Sequence, residues 1–390
     1  MVKFLAISFL LCAGAHATAT ILGAETETAV PGSYVVVLKK DVTTAALNLH
    51  LTSALSKSAQ ASAFNFAGLK GYTIKASKDT ITSLAESDDA TDQTFTLPPS
   101  SPSSLSARNT QANAPWGLAR ISHRKKGATD YVFTPTIGTY VYVLDSGIRT
   151  SHQLFQGRAT FGFNAVGGSS NGDVNGHGTH VAGIASSQTY GVVRFAGIVS
   201  VKVLDDTGSS TTSQIISGIN WTVQDIQTRG RLQKATALLT IGGGFSAALN
   251  NAVAAASNAG VMFAVAAGNE NTGSSNSSPG SEPTACTVGG TTIDDARMST
   301  SNYGPGIDIF APGQLIPSLW YTSDTAVQTL SGTSMAAAHV AGLGAYFLAI
   351  EGPRGAVALC DRMREVATKN ALSGIPSGTA NLLAYNLSGL

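Results

Sequence analysis

The stretch NGDVNGHGTHVAG, residues 171–183, holds two histidines, His177 and His180, three positions apart and close to Asp173. Two imidazoles and a carboxylate are ligands that zinc accepts, but no cluster elsewhere supplies the remaining ligands and the H-E-x-x-H motif is absent. A lone histidine is most often a packed core residue. A histidine can also act as a catalytic base, which requires chemical partners elsewhere in the chain.

Two such partners exist. Asp145 ends the segment YVYVLD upstream of His177, and Ser334 lies downstream in LSGTSMAAAHVAG. A serine becomes a strong nucleophile when a base removes its proton, and histidine suits this task because it changes charge near neutral pH. A carboxylate orients the imidazole and stabilises the imidazolium. The three residue types therefore predict a nucleophilic acyl-transfer site.

The surrounding elements form an alternating pattern that can position these groups. From Trp116 onward, buried strands are predicted in GTYVYVLDSG, VSVKVLDD, KATALLTIGGG and VMFAVAAGN, and helices in SQIISGINWTVQDIQTRG and SAALNNAVAAASNAG. This alternation predicts an α/β fold with a mainly parallel sheet and helices on both faces. Sites in such sheets gather at the carboxyl ends of strands, where Asp145 and Asn269 fall.

The N-terminal residues 1–17, MVKFLAISFLLCAGAHA, are typical of a signal peptide. Their apolar run is too short to span a bilayer, and no later stretch is predicted to do so. A buried N-terminal helix is the alternative. Because a signal peptide directs a chain to secretion, the predicted location is extracellular. The net charge of +1, from 24 basic and 23 acidic residues, gives no electrostatic reason to expect nucleic acid or a membrane as a partner.

Three further segments follow the signal peptide. Residues 34–98 are predicted to form a small α+β module, with strands in YVVVLKK and GLKGYTIKA and two helical stretches, the second in KDTITSLAES. Residues 99–112 have the Pro- and Ser-rich composition of a linker, and the main domain spans 113–390.

After removal of the signal peptide two cysteines remain, which are either a disulfide or two separate thiols. Asparagine-linked glycosylation motifs begin at Asn220, Asn276 and Asn386.

The order Asp145, His177, Ser334 and eight ordered blocks resemble the subtilisin-like serine proteases, specifically the proteinase K group of secreted fungal enzymes. The blocks are NAPWGLARIS, TYVYVLDSGI, NGHGTHVAGI, VKVLDDTGS, AAGNEN, EPTACTVG, SNYGPGIDIFAPG and GTSMAAAHVAG. They cover essentially all of residues 113–390.

The resemblance implies a secreted endopeptidase that cleaves proteins and peptides through an acyl-enzyme intermediate. His177 would be the general base, the side chain of Asn269 and the N–H of Ser334 would bind the oxyanion, and His180 and His339 would be structural. The residues expected to flank an extended substrate are Gly208, Ser209, Ser210, Ile241, Gly242, Gly243 and Gly268.

The resemblance also carries expectations about maturation and stability. Residues 34–98 resemble an inhibitory prosegment, so the chain would be an autoprocessed zymogen cut near Arg108 and inhibited by its own prosegment until then. A Cys286–Cys360 disulfide is implied. A structural Ca²⁺ would be held by the carbonyls of Pro283 and Ala285 and the carboxylate of Asp308; no catalytic metal and a monomeric state are expected.

Two other function classes are distinguishable by sequence. A catalytically silent, peptide-binding protein of the same fold would lack the serine, the histidine or the oxyanion asparagine, and all are present. An α/β-hydrolase esterase would carry G-x-S-x-G around its nucleophile, but Ala336 occupies the last position here.

Overall fold

The computed structural model describes residues 33–37, 60–66, 69–75, 108–167 and 170–390. The chain divides into two compact units, residues 1–100 and 101–390. In the first unit, β1 (Ser33–Val37), β2 (Gln60–Phe66) and β3 (Leu69–Lys75) form an antiparallel sheet in the order β1-β3-β2. The predicted strands in YVVVLKK and GLKGYTIKA are confirmed, whereas β2 was not predicted. The predicted signal peptide, the helices of the module and most of the linker lie outside the described residues.

The second unit alternates strands and helices as predicted. Its helices are α1 (Trp116–Ser122), α2 (His177–Ser186), α3 (Thr212–Thr228), α4 (Ala247–Asn258), α5 (Thr333–Ile350) and α6 (Ala356–Val366). Its strands are β4 (Asn109–Gln111), β5 (Tyr131–Phe133), β6 (Tyr140–Asp145), β7 (Ala159–Asn164), β8 (Gly197–Lys202), β9 (Ala235–Leu239), β10 (Gly243–Gly244), β11 (Met262–Ala266), β12 (Ser277–Ser278), β13 (Cys286–Thr291), β14 (Ile309–Pro312), β15 (Ile316–Leu319), β16 (Val327–Leu330), β17 (Thr368–Lys369) and β18 (Leu382–Leu383).

Nine strands form the central sheet in the order β17-β18-β14-β13-β11-β9-β6-β8-β7. All neighbours from β18 to β7 pair in parallel, and β17 pairs with β18 antiparallel. Strands β6, β9 and β11 are adjacent and central, so their carboxyl ends meet at one edge. The mainly parallel sheet of the predicted α/β fold is confirmed.

Helices cover both faces of the sheet. On α3, Ile215, Ile219, Val223 and Ile226 recur at helical spacing and are buried with α4 against one face. Helices α1, α2, α5 and α6 contribute to the core on the other face. Helix α5 is apolar and long enough to cross a membrane, but 89% of it is buried inside this domain. Its uniform apolarity therefore reflects a central position in the core.

The end of the predicted linker is part of the folded domain. Asn109–Gln111 forms β4, which pairs antiparallel with β5, and the Arg194 guanidinium donates a hydrogen bond to the Gln111 side chain. The polar sequence NTQ has no apolar alternation, so its pairing depends on β5 rather than on its own pattern. The folded domain therefore begins by Asn109, earlier than the predicted boundary at residue 113.

Candidate active site

Asp145 and His177 meet at the carboxyl edge of the sheet. Asp145 is the last residue of β6, and His177 is the first residue of α2. Nδ1 of His177 lies 2.9 Å from each carboxylate oxygen of Asp145. Asp145 is fully buried, whereas the His177 side chain is 29% exposed. The imidazole is thus held on one side by a buried carboxylate and reaches the surface on the other.

The pair shifts the pKa of both groups. Burial alone would raise the pKa of Asp145, but the charge and hydrogen bond of His177, with hydrogen bonds from Thr240 and Ser146, hold that pKa below its ordinary value. Burial would lower the pKa of His177, and the Asp145 carboxylate, with a further contribution from Asp173, raises it above its ordinary value. At neutral pH the carboxylate is therefore ionised, and it favours a proton on the imidazole.

Close approach of α2 to the end of β6 depends on glycines around His177. Gly176 has φ +104°, a left-handed conformation that favours glycine. A Cβ on Gly178 would lie 2.1 Å from the carbonyl oxygen of Gly147 and 3.2 Å from Oδ1 of Asp145. The absence of a side chain at Gly178 therefore sets how near the imidazole can come to Asp145.

A second buried carboxylate, Asp173, links the two sides of this contact. Its Oδ1 accepts hydrogen bonds from the Ser146 hydroxyl at 2.9 Å and from the Gly176 N–H at 2.8 Å. Its Oδ2 accepts from the Thr179 N–H at 2.9 Å and from the Thr179 hydroxyl at 2.5 Å. Asp173 therefore satisfies free N–H groups at the start of α2 and ties them to the residue after Asp145.

Thr240 connects Ser334 with the Asp145–His177 pair. Its hydroxyl donates to Oδ2 of Asp145, and its carbonyl oxygen accepts a hydrogen bond from the Ser334 hydroxyl at 3.3 Å. Among the described residues, the Ser334 hydroxyl makes no hydrogen bond to His177. Such bonds are often long in unliganded sites and tighten when substrate binds. Ser334 is the second residue of the 18-residue helix α5, where the helix dipole favours negative charge.

Asn269 lies beside the start of the same helix. It follows β11 and Gly268, and its Oδ1 accepts a hydrogen bond from the Thr333 N–H at 2.9 Å. The Thr333 hydroxyl in turn accepts from the Gly268 N–H at 3.2 Å. Asn269 is exposed, and its Nδ2 has no hydrogen-bond partner among the described residues. The Asn269 amide is therefore held through its oxygen, next to Ser334, while its N–H groups face solvent.

The predicted substrate-flanking residues are mostly at the surface. Gly208, Ser209, Gly242 and Gly243 are exposed, Ser210 and Ile241 are half-buried, and Gly268 is buried. β10, which contains Gly243, pairs antiparallel with β12, and no atom lies within 4 Å of where a Cβ on Gly242 or Gly243 would be. Gly242 and Gly243 are therefore open backbone that another strand can approach.

The other histidines have backbone partners. Nε2 of His180 lies 3.1 Å from the carbonyl oxygens of Ile316 and Gln328, and Nδ1 of His339 lies 2.8 Å from that of Met335. Burial lowers the pKa of each to about 4, so both are neutral at neutral pH. These contacts fit the predicted structural roles rather than a zinc site.

The structure joins Cys286 and Cys360 in a disulfide bond, as predicted. Asp308 lies beside it. Oδ2 of Asp308 accepts from the Thr287 N–H at 2.9 Å, and Oδ1 is 3.8 Å from the Arg364 guanidinium. Burial raises the pKa of Asp308 to about 6, so Arg364 compensates its charge only in part. This carboxylate therefore fits a cation-binding role, in which a hard divalent ion would supply the missing charge.

One predicted glycosylation site is wrong. Asn386 is fully buried, its Nδ2 donates to the carbonyl oxygen of Val132 at 2.7 Å, and its Oδ1 accepts from the Ser388 N–H. The nitrogen that would carry the glycan is therefore enclosed in the folded domain. Asn220 and Asn276 are exposed, so glycosylation at these two positions stays a prediction.

Sequence reasoning missed Thr240 as a site residue and gave Asp173 no catalytic role. Thr240 directly follows β9, so the rule that sites gather at the carboxyl ends of parallel strands could have singled it out. Asp173 precedes the start of α2 by four residues, and an acidic residue before a helix is a recognisable capping signal.

A buried carboxylate on an imidazole, a serine at a helix start and an exposed amide, all at the carboxyl edge of a parallel sheet, are the groups that a serine hydrolase uses. Residues 136–378 match the model of the subtilase family, Peptidase_S8. The chain belongs to the subtilase family of serine proteases.

Similar proteins and a similar solved structure support the same family. The chain is 50% identical over 284 residues to a cuticle-degrading protease of Metarhizium anisopliae, covering 72% of each chain. It is 40% identical over 381 residues to alkaline protease 1 of Aspergillus flavus, covering 92% of each. A crystal structure of a cold-adapted subtilisin-like serine proteinase superposes with a TM-score of 0.67 at 40% identity, covering 71% of this chain and 99% of that one.

Proposed function

We propose that this protein is a secreted serine endopeptidase that hydrolyses peptide bonds through Asp145, His177 and Ser334. The observation that carries the proposal is the contact of Nδ1 of His177 with the fully buried Asp145 carboxylate, at 2.9 Å. This contact fixes the tautomer in which Nδ1 carries the proton and Nε2 is free to act as a base. The role of Ser334 follows from its link to the same carboxylate through Thr240.

With these roles, each proton transfer in the reaction passes through His177. The Ser334 hydroxyl leaves the Thr240 carbonyl and donates its proton to Nε2 of His177, while the serine oxygen attacks the substrate carbonyl. Asp145 stabilises the imidazolium that forms. His177 next gives the proton to the departing amine, which leaves an acyl-enzyme. A water molecule, deprotonated by His177, releases the acyl group and restores the serine.

The developing oxyanion needs donors that are in place before the reaction. Asn269 supplies its Nδ2, because its Oδ1 is already bound to the Thr333 N–H at 2.9 Å. The backbone N–H of Ser334, at the start of α5, supplies the second. Removing one such donor from a serine protease costs about 10²–10³ in kcat.

The substrate class is protein or peptide in an extended conformation. Open backbone at Gly242 and Gly243, beside the β10–β12 ladder, supports binding of the substrate as an added strand. Gly208, Ser209 and Ser210 would flank its other side, and Gly268 would lie near its cleaved residue. Glycines suit this role because they let two backbones approach closely.

The maturation and location remain part of the proposal. We expect removal of residues 1–17 on secretion, and autoprocessing near Arg108 that frees the enzyme from residues 34–98 as an intramolecular inhibitor. Support comes from the separate compact unit at residues 1–100 and from the start of folded structure at β4. The enzyme would act as a monomer outside the cell, without nucleic acid or membrane partners.

We also propose a structural Ca²⁺ at Asp308, with the carbonyl oxygens of Pro283 and Ala285 as further ligands. The incompletely compensated Asp308 carboxylate beside the Cys286–Cys360 disulfide supports this assignment. The ion would add positive charge and cross-link the loop that carries the disulfide. It would take no part in the reaction.

The test is cleavage of an unstructured protein substrate by the wild type, Ser334→Ala and a control Ser331→Ala. We expect Ser334→Ala to fall to the residual 10³–10⁴-fold acceleration that binding and the oxyanion donors alone provide, and to stay unprocessed. Ser331 is near the nucleophile in sequence but has no assigned chemical role. A catalytically silent peptide-binding protein would show no cleavage by any of the three proteins.

A further inference from the structure

The turn that carries Asn269, residues 267–272, is organised around a side chain from a distant part of the chain. Asn302 is fully buried inside this turn. Its Nδ2 donates to the carbonyl oxygen of Ala267 at 2.9 Å and to Oε2 of Glu270 at 2.8 Å. Its Oδ1 accepts from the N–H groups of Glu270 at 3.2 Å and Thr272 at 3.0 Å. Both N–H donors and two acceptor positions of this amide are therefore used.

The contacts of Asn302 surround Asn269 without touching it. They engage residues before and after Asn269, and the Asn302 N–H also donates to the carbonyl oxygen of Gly268 at 3.0 Å. A Cβ on Gly268 would lie 2.3 Å from Nδ2 of Asn302, so Gly268 leaves the space that the amide occupies. Gly268 also has φ +101°, which strains any other residue. The turn and the buried amide therefore require each other.

Asn269 is thus held both through its side chain and through its backbone. Thr333, on α5, binds its side-chain oxygen directly, while Asn302 fixes the backbone that carries it. An oxyanion donor is effective because it is in place before charge develops, so it costs no reorganisation during the reaction. If the turn loosens, Nδ2 samples other positions, and transition-state stabilisation falls more than substrate binding.

We propose that Asn302 is a positioning residue for the oxyanion donor Asn269, with Glu270 as the acceptor that orients its amide. This inference rests on the proposed function of Asn269. Among the described residues, Asn302 makes no hydrogen bond to the triad, and Gly268, which belongs to the turn itself, is the one substrate-flanking residue that it bonds. Its effect on Asn269 therefore passes through the turn.

The perturbing variant is Asn302→Asp, which keeps the shape but replaces two donors by an acceptor. The new carboxylate faces the Ala267 carbonyl and the Glu270 carboxylate, which repel it. We expect kcat on an uncharged peptide ester or amide to fall by about 10-fold or more, within the 10²–10³ that complete loss of the donor costs, with KM changed by less than about threefold. The matched control is Asn386→Asp, a fully buried asparagine whose Nδ2 also donates to a backbone carbonyl and whose Oδ1 also accepts from a backbone N–H, but whose partners, Val132 and Ser388, lie outside the proposed site. The control should lose thermal stability but keep kcat.

A double-mutant cycle separates positioning from general damage. In an Asn269→Ala background there is no donor left to position, so adding Asn302→Asp should cost no further kcat, although the melting temperature still falls. Full additivity of the two losses in kcat, or a wild-type kcat for Asn302→Asp, would overturn the proposal. A wild-type kcat for Asn269→Ala alone would instead refute the oxyanion assignment, and this inference would fall with it.

A second variant covers the case in which Asn302→Asp does not fold. Glu270→Ala removes an exposed carboxylate and leaves Nδ2 of Asn302 with one acceptor. We expect a smaller loss of kcat that also vanishes in the Asn269→Ala background. An undiminished loss in that background would contradict the proposal. Where Asn302→Asp does fold, adding Glu270→Gln should recover part of its kcat, because the new amide can donate to the new carboxylate.

Discussion

Replacing Gly178 by alanine has two opposite expected effects: a higher helix propensity, and a collision that displaces the active-site residues. Gly178 is the second residue of α2, and alanine is a better helix former than glycine, by up to about 1 kcal/mol in a helix interior. Propensity therefore predicts a stabilised protein. The added Cβ, however, would lie 2.1 Å from the carbonyl oxygen of Gly147 and 3.2 Å from Oδ1 of Asp145.

The collision has a direct consequence for catalysis. The methyl group must retreat by about 1 Å or more to reach ordinary van der Waals distance from the Gly147 oxygen. Because that oxygen is backbone, α2 must move away from the end of β6, and His177 moves with it. The 2.9 Å contact of His177 with Asp145 lengthens accordingly. A misplacement of 1 Å can cost about 10²-fold in rate, and overpacking costs about 1–3 kcal/mol in stability.

The assay is steady-state hydrolysis of a chromogenic peptide by Gly178→Ala, normalised by active-site titration, with the free energy of unfolding measured by chemical denaturation. Gly172→Ala is the control, because a Cβ there would meet its nearest atom, Oγ of Ser170, at 3.6 Å. We expect kcat/KM to fall about 10²-fold in Gly178→Ala and to stay near wild type in Gly172→Ala. If both variants have the same kcat/KM, the close approach at Gly178 does not position the catalytic pair.

Three other predictions concern protonation, the cross-link and the ion. Because Asp145 and Asp173 raise the pKa of His177, the acid limb of the pH profile of kcat/KM should lie above the ordinary histidine pKa. Asp173→Asn removes one of these charges, so the acid limb should move to lower pH. An unmoved limb would contradict this electrostatic account. Replacing Cys286 and Cys360 by alanine should lower the free energy of unfolding by about 4 kcal/mol, since the bridge spans 74 residues, and an unchanged value would show that the bridge adds no stability. Chelation should lower the melting temperature of the wild type but not that of Asp308→Asn; equal melting temperatures in chelator and in calcium would argue against the ion.

The chemistry of the site could be predicted where it resides in residue types. A carboxylate, an imidazole and a hydroxyl suggested acyl transfer, and the strand pattern placed Asp145 and Asn269 at the edge where the structure has them. The placement of Asp145 and Asn269 at this edge could be predicted because burial and alternation are local properties of the chain.

The supporting contacts were not predictable in the same way. Thr240 and Asn302 act through hydrogen bonds to residues distant in sequence, and no local pattern distinguishes them from ordinary polar residues in turns. Asn386 matches a glycosylation motif, yet tertiary packing buries it. β4 has no apolar pattern, because it is held by β5 rather than by burial of its own side chains.

The most direct test of the central claim is covalent labelling of the processed protein with phenylmethylsulfonyl fluoride, followed by peptide mass mapping. The reagent sulfonylates a serine whose proton a neighbouring base removes. We predict one sulfonyl group per molecule, on Ser334, with loss of activity in step with labelling. His177→Ala cannot process itself, so its prosegment is first removed with an added protease; its labelling should then be slower by about 10²-fold or more, because the base is gone. Modification of a different residue, or full peptidase activity with Ser334 fully labelled, would contradict the account.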